Sequence, residues 1–533
     1  MRKGITWVVP FLFFSSRCPR VSHSRPSGRA RLRIFRPLIF AFLFLASWLG
    51  VCSCLAVETR PPVTEHTLPN GLRVLIVERH DAPIFSAHIR YRVGSVNDPP
   101  GLTGLAHFVE HLFFKGTELF GSTDPDKEKR IAERLGSLRP AIDDPATPTD
   151  LRAALARERT ALESAEAQYL IPNDLWNTYR RHGAVAIGGI TYRDSTQYMV
   201  SLPKNALELW ALLEADRLRH PVFRGFEAER RVVQEEYRQV VETSAPNLLE
   251  VSTYGLAFTA VPYNHPPWGW PPDVRQITRA DAEAFARTYY VPNNALIVLV
   301  GDLEPRETLR IVERYFGPLP ARPVPPVPRF EEPTQAGQRR IVVPFPAEPQ
   351  LRLFFQAPPA THPDIPALSL LSTVLVHGRT SRLHRRLVEE HPLALRVSSD
   401  TSWVLRYTSL FSLEAAPRPP HGLRELESAI MRELDILKTD LVSAEELQRA
   451  KTLWAFQYAS RLSAPAELAA ELACSWDLSG DWEEVFTLPD TIRSLTPERL
   501  RDAARRYLRP DRSTVGWLLR PAAPTTSPAR SGS

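Results

Sequence analysis

The sequence predicts an α+β protein in which one domain plan occurs twice. Three observations support this. Strand-like and helix-like stretches alternate on both sides of a proline-rich joint over residues 317–337. The chain has 533 residues, too many for one ordinary core. Its composition, 43% hydrophobic and 24% charged, is that of a globular protein. Each domain is expected to be a mixed, mainly antiparallel sheet with helices packed on it. The boundaries follow from composition: a leader over 1–56, a first domain over 57–317, a linker over 318–337, a second domain over 338–520 and a disordered tail over 521–533.

The leader comes first. Residues 1–36 hold nine basic side chains and no acidic one, and residues 37–56 hold no charge, the apolar run beginning at Leu38. Basic then apolar, ending in small residues near Ala56, is the order of a secretory signal, and a run of this length also suffices for a retained membrane anchor. Export to the periplasm is expected, with the leader cleaved or anchoring the chain. The sequence pI of about 9.1 belongs to this segment: removing its nine charges from the formal net +6 leaves −3 for the rest. A nucleic-acid partner loses its electrostatic support. Beyond Cys18, Cys52 and Cys54 of the leader only Cys474 remains, so neither a disulfide framework nor a cysteine metal site is available.

In the first domain, Asn70-Gly71 reads as a turn between two strands, and residues 85–93 as another strand. Residues 102–114 are helical, entered through Pro99-Pro100-Gly101 and stopped at Gly116. Residues 122–172 are charged and alanine-rich around the turn DDPATPTD. They predict an inserted antiparallel helical hairpin, a solvated spacer or docking arm by its bland chemistry. Residues 187–202 return to strand character, 204–219 and 227–242 are helical, 281–290 is a helix and 295–300 a strand. After the linker come strands near 340–343 and 351–356, a helix over 367–375, strands near 394–400 and 409–415, and helices over 423–438 and 444–462.

The chemistry concentrates in His107-Phe108-Val109-Glu110-His111. On a helix, positions i and i+4 share a face, so both imidazoles reach one ion, and Glu110 projects beside the same point. This is the inverted H-x-x-E-H arrangement, in which the glutamate takes a proton from water activated by zinc. Packing histidines alone would leave Glu110 an unexplained charge among Phe108, Val109, Leu112 and Phe113. Tetrahedral zinc still needs a third protein ligand. Glu229 and Glu236 are two helical turns apart and share a face, with Glu235 about 100° away. Spacing alone does not separate a ligand from a solvated charge run there.

The stretch GLAHFVEHLFFKGT at 104–117 resembles the zinc helix of the insulinase/pitrilysin (M16) metallopeptidases, and Glu229 to Glu236 resembles that family's E-R-x-x-V-x-x-E signature. The likeness extends through Trp268-Gly-Trp-Pro271 and the segment 290–302, over roughly residues 65–515. The resemblance implies a zinc metalloendopeptidase with one zinc per chain, held by His107, His111 and Glu236. It also implies Glu110 as general base, Glu229 supporting the ligands, and each chain as half of a clam-shell closing on peptides or unfolded segments. The alternative is a non-catalytic structural or peptide-binding subunit of the same fold. Two departures stand out. Gly188-Gly189 occupies the place of an Asn-Ala pair whose asparagine helps hold substrate in the family. Val388 and Leu395 occupy the places of an Arg and a Tyr that stabilise the oxyanion. The second departure implies the zinc-bearing protomer of a two-subunit enzyme, whose homologous partner supplies the Arg and Tyr; a homodimer is the alternative assembly.

Overall fold

The computed structural model describes residues 60–399 and 404–521. The expected leader and nearly all of the expected tail lie outside them. The first sheet begins with β1 (Val63–Thr67) and β2 (Arg73–Glu78), antiparallel across the Asn70-Gly71 turn. Gly71 takes φ +84°, and a Cβ there would lie 2.8 Å from the Asn293 Cβ, so glycine is required on both counts. The sheet is completed by β3 (Ile84–Tyr91), β4 (Val185–Thr191), β5 (Thr196–Pro203) and β6 (Ala295–Gly301), in the order β1-β2-β6-β3-β5-β4. Only β2 and β6 run parallel. The strand character expected over 187–202 is that of a hairpin, because the chain reverses where the Tyr192 N–H bonds to the Ser195 carbonyl. β4 is an edge strand, with a register shift between Val185 and Gly188 and Ala186 at φ +51°.

The helices of this half are α1 (Leu105–Phe113), the inserted α2 (Pro125–Asp143) and α3 (Thr149–Glu166), α4 (Asp174–Arg181), α5 (Leu207–Arg219) and α6 (Phe226–Tyr237). They continue with α7 (Ala245–Ala257), α8 (Pro271–Gln276), α9 (Arg279–Tyr289) and α10 (Pro305–Phe316). The insertion is more than a solvated spacer. α2 buries Ala132, Leu135 and Leu138, and its Glu128 accepts from Arg224 Nε at 2.7 Å, both side chains 3% exposed.

The second sheet repeats the plan. β7 (Arg339–Pro344), β8 (Gln350–Ala357), β9 (Ala394–Ser398), β10 (Ser409–Pro417) and β11 (Ser513–Leu519) stand in the order β7-β11-β8-β10-β9, with β7 and β11 parallel. That is the first sheet's order without β1. The helices correspond as well. α11 (Ile365–Val376) takes the place of α1. α12 (Leu423–Thr439), α13 (Ala444–Ser463), α14 (Pro465–Ser479), α15 (Glu484–Ser494) and α16 (Pro497–Tyr507) follow as α5 to α9 do. The strand β11 and the helices α7 and α14 carry little periodicity and were not expected from sequence.

Those two unexpected helices tie the halves together. α7, from the first half, packs on β7, β8 and β11 of the second sheet. Gly516 of β11 admits it, since a Cβ there would stand 2.1 Å from Thr253 Oγ1. α14, from the second half, packs on β3 and β6 of the first sheet, where Leu468, Leu472 and Trp476 join Leu296, Val298 and Val300 in one core. Under α14 runs a buried ion network. Arg90 of β3 and Arg406 both donate to Asp477, and the Arg406 backbone N–H donates to Asp194 in the β4–β5 turn at 3.0 Å. The described residues therefore form one compact unit.

Candidate metal centre

Two residues fix where α1 begins. Asp98 accepts the backbone N–H groups of Gly104 and Ala106, both at 2.8 Å, which places a carboxylate at the positive end of the helix. Gly104, at φ +88°, starts the first turn. Eight of the nine residues of α1 are buried, and His111 alone is partly open.

The structure brings the sequence-predicted residues together. One ligand atom from each of His107, His111 and Glu236 lies within 4.8 Å of the others, the one such His/Cys/Asp/Glu group among the described residues. His111 Nε2 stands 3.2 Å from Glu236 Oε2 and His107 Nε2 stands 3.8 Å from Glu236 Oε1, with the imidazole centroids 4.6 Å apart. Glu229 reaches His111 from behind, Oε1 lying 2.9 Å from Nδ1, and its other oxygen is paired with Lys115. That carboxylate orients the ring and leaves Nε2 to face the cluster. Glu235 points away and pairs with Arg238. Two imidazoles and one carboxylate, converging with a position left over, are the donor set of a catalytic zinc site. The residues present fit the ion.

The electrostatics agree with that fit. Burial pushes Glu236 upward, but the facing imidazoles of His107 and His111 and the hydrogen bond from Trp268 outweigh it and hold the carboxyl at about 2. Burial lowers His107 to about 4, so the ring is a neutral donor. Burial also opposes protonation of His111, yet hydrogen bonds to Glu229 and Glu236 raise it to about 10. Glu229 and Glu236 thus hold a proton on His111, a positive charge that a bound metal ion would replace.

Glu110 is buried beside this cluster, and desolvation pushes its carboxyl up to about 7 despite the opposing His111. Thr191 Oγ1 donates to its Oε2 at 3.1 Å. Its Oε1 lies against Gly189, where an added Cβ would come within 2.5 Å. The two glycines therefore differ: Gly189 makes room for Glu110, whereas a Cβ on Gly188 would meet open space. In the second half Val388 packs partly buried against the core, and Leu395 is half exposed on β9, also an edge strand. Sequence reasoning gave no role to Thr191, Lys115 or Trp268. The indole N–H of Trp268 donates to Glu236 Oε1 at 3.1 Å, and the glycine between two tryptophans at 268–270 was the available signal.

The described residues thus form a duplicated α+β unit whose first copy carries their one His/His/Glu cluster. The description "Insulinase (Peptidase family M16)" matches residues 73–136, and "Peptidase M16 inactive domain" matches residues 276–453. The chain belongs to peptidase family M16, the insulinase family. Among its relatives, the zinc protease PqqE of Helicobacter pylori is 25% identical over 457 residues, 85% of this chain and 91% of that protein. The uncharacterized zinc protease YmxG of Bacillus subtilis is 21% identical over 73% of this chain and 82% of its own. A protease structure from Helicobacter pylori superposes with a TM-score of 0.73 at 24% identity, over 86% of this chain and all of that one. The first half of the periplasmic protease PqqL from Escherichia coli superposes with a TM-score of 0.65 at 19% identity, over 86% and 92% of the two chains. Against full-length PqqL, this chain spans 48% of its partner's length. No helix among the described residues is long and apolar enough to cross a membrane.

Proposed function

We propose that the chain is a zinc-dependent endopeptidase that cuts peptides or unfolded segments, with His107, His111 and Glu236 as ligands, Glu229 supporting His111, and Glu110 as general base. The observation that carries this reading is the convergence of the three ligand atoms within 4.8 Å beside a buried glutamate. Bound there, zinc supplies Lewis acidity, which makes water a competent nucleophile near neutral pH and polarises the peptide carbonyl. Glu110 accepts the proton of the attacking water and returns it to the leaving amine, while Thr191 steadies its Oε2. The edge strand β4 passes directly beside Glu110 at Gly189 and offers unpaired backbone groups to an extended peptide.

Val388 and Leu395 donate no side-chain hydrogen bond, so the oxyanion donors come from a homologous partner subunit that carries the Arg and Tyr. Full-length PqqL, about twice as long, is consistent with two such halves acting together. Export to the periplasm is the setting that the leader and the periplasmic PqqL relative support.

Metal analysis and peptide cleavage test the reading together. The wild type should hold one zinc, and Glu110→Gln should keep the metal while losing turnover. Glu236→Gln should lose zinc, Glu229→Gln should bind it about 10–100-fold more weakly, and Glu235→Gln should match wild type. Cleavage by the chain alone should be slow and should rise when a homologous subunit is added, because one missing oxyanion donor lowers turnover by ~10²–10³. A wild type without zinc, or an active Glu110→Gln, overturns the assignment.

A further inference from the structure

Glu236 reaches the cluster from α6, while both histidines stand on α1. Nothing in α6 itself sets the orientation of the Glu236 carboxylate, a flexible side chain about one-quarter exposed. Ordering such a side chain costs rotamer entropy. An anchor tied to α1 removes that freedom, and Trp268 has the required geometry.

The loop bearing Trp268 is bound to the start of α1 by backbone contact. Gly269, at φ +73°, lies so near Thr103 that a Cβ would fall 2.1 Å from its carbonyl oxygen. A Cβ on Gly104, at φ +88°, would fall 2.5 Å from the Trp268 carbonyl oxygen. No side chain separates the two backbones. Thr103 Oγ1 accepts the Trp270 N–H at 2.9 Å and donates to Asp273 at 2.7 Å, which closes the joint. The indole therefore moves with the first turn of the histidine helix. Its ring stands edge-on to His107, centroids 6.5 Å apart at 77°, and its N–H donates to Glu236 Oε1 at 3.1 Å.

We propose that Trp268 is a positioning residue for the third ligand: by holding Oε1, it presents Glu236 to the metal through Oε2 alone. Oε2 is the oxygen nearer His111, 3.2 Å from Nε2, whereas Oε1 is 3.8 Å from His107 Nε2 and engaged by the indole. A carboxylate free to bind through both oxygens would fill the position that a catalytic site keeps for water and substrate. One indole N–H thus serves both affinity and the open position. The inference rests on the metal-site reading above.

The test compares Trp268→Phe, which keeps a ring but removes the N–H, with Trp270→Phe, a control in the same loop. Zinc affinity is measured by chelator competition, and coordination by the visible spectrum of the cobalt(II)-loaded protein. Trp268→Phe should weaken zinc by about 10–100-fold, the range for a lost outer partner. Its cobalt bands should fade as the coordination number rises above four. Its unfolding midpoint in EDTA should stay at the wild-type value, which separates lost positioning from lost folding. Trp270→Phe should match wild type in every reading. Unchanged zinc affinity and cobalt spectrum in Trp268→Phe overturn the proposal and leave the metal site standing. So does equal weakening by Trp270→Phe, which would assign the effect to the loop. A wild type that takes up no zinc overturns both readings.

Discussion

At the scale of single residues, the site depends as much on missing atoms as on present ones. Gly189 has no Cβ, so Glu110 fits against β4, while its neighbour Gly188 faces open space. The Gly-Gly pair is therefore one glycine that makes room for Glu110 and one with open space where a side chain would stand. Gly188→Asn should fold without strain, because a Cβ there meets nothing within 4 Å. It should lower KM for a peptide by about 5-fold, the equivalent of one hydrogen bond worth about 1 kcal/mol. Zinc content should not change. Steady-state kinetics with the partner present decide this, and an unchanged or higher KM would show that position 188 does not face the peptide. The motif around His107 was legible because helical spacing alone puts both imidazoles on one face. Trp268 and Thr191 were not, because the contacts that give them roles span 32 and 81 positions of sequence.

At the scale of elements, the inserted hairpin is where local pattern misled most. Its charged, alanine-rich helices predict a solvated arm, and most of their surface is one. Yet Glu128 pairs with Arg224, which also donates to the Phe120 carbonyl at 3.1 Å and precedes the Gly225 that starts α6. Breaking a buried pair strands a charge, at about 3–5 kcal/mol. Glu128→Ala should destabilise the protein by that amount in urea unfolding while the folded fraction keeps its zinc. A loss below about 1 kcal/mol would return the hairpin to the role of a detachable arm. Sequence could not reveal the pair, since 96 positions separate its members and each looks like an ordinary surface charge.

At the scale of the whole molecule, the halves exchange α7 and α14, and buried polar groups line the seam. His88 on β3 shares a strand face with Arg90 and has no hydrogen-bond partner at Nδ1. Burial, aided by the Arg90 charge, lowers it from 6.5 to about 4. The sign follows from proton counting: between these values the unfolded chain holds a proton that the folded one does not. Stability is therefore lost as pH falls through 6.5 towards 4. The loss from this residue between pH 7 and pH 5 is about 2 kcal/mol. His88→Leu should flatten the pH dependence of the unfolding midpoint over that interval. An unaltered slope would mean that His88 is not the residue responsible.

The sequence by itself determined the kind of fold, the duplication on either side of the proline-rich joint, and the pair of histidines with the glutamate between them. These rest on local period and composition, which a chain displays before it folds. Only the tertiary structure decided how the halves join, since the exchanged helices α7 and α14 lack a clear one-sided stripe and are apolar against two different surfaces. It alone brought Glu236 to the histidines across more than a hundred positions, seated Glu110 on Gly189, and set Trp268 against Glu236. Each of those is a contact between distant segments, specified by packing rather than by any repeat along the chain.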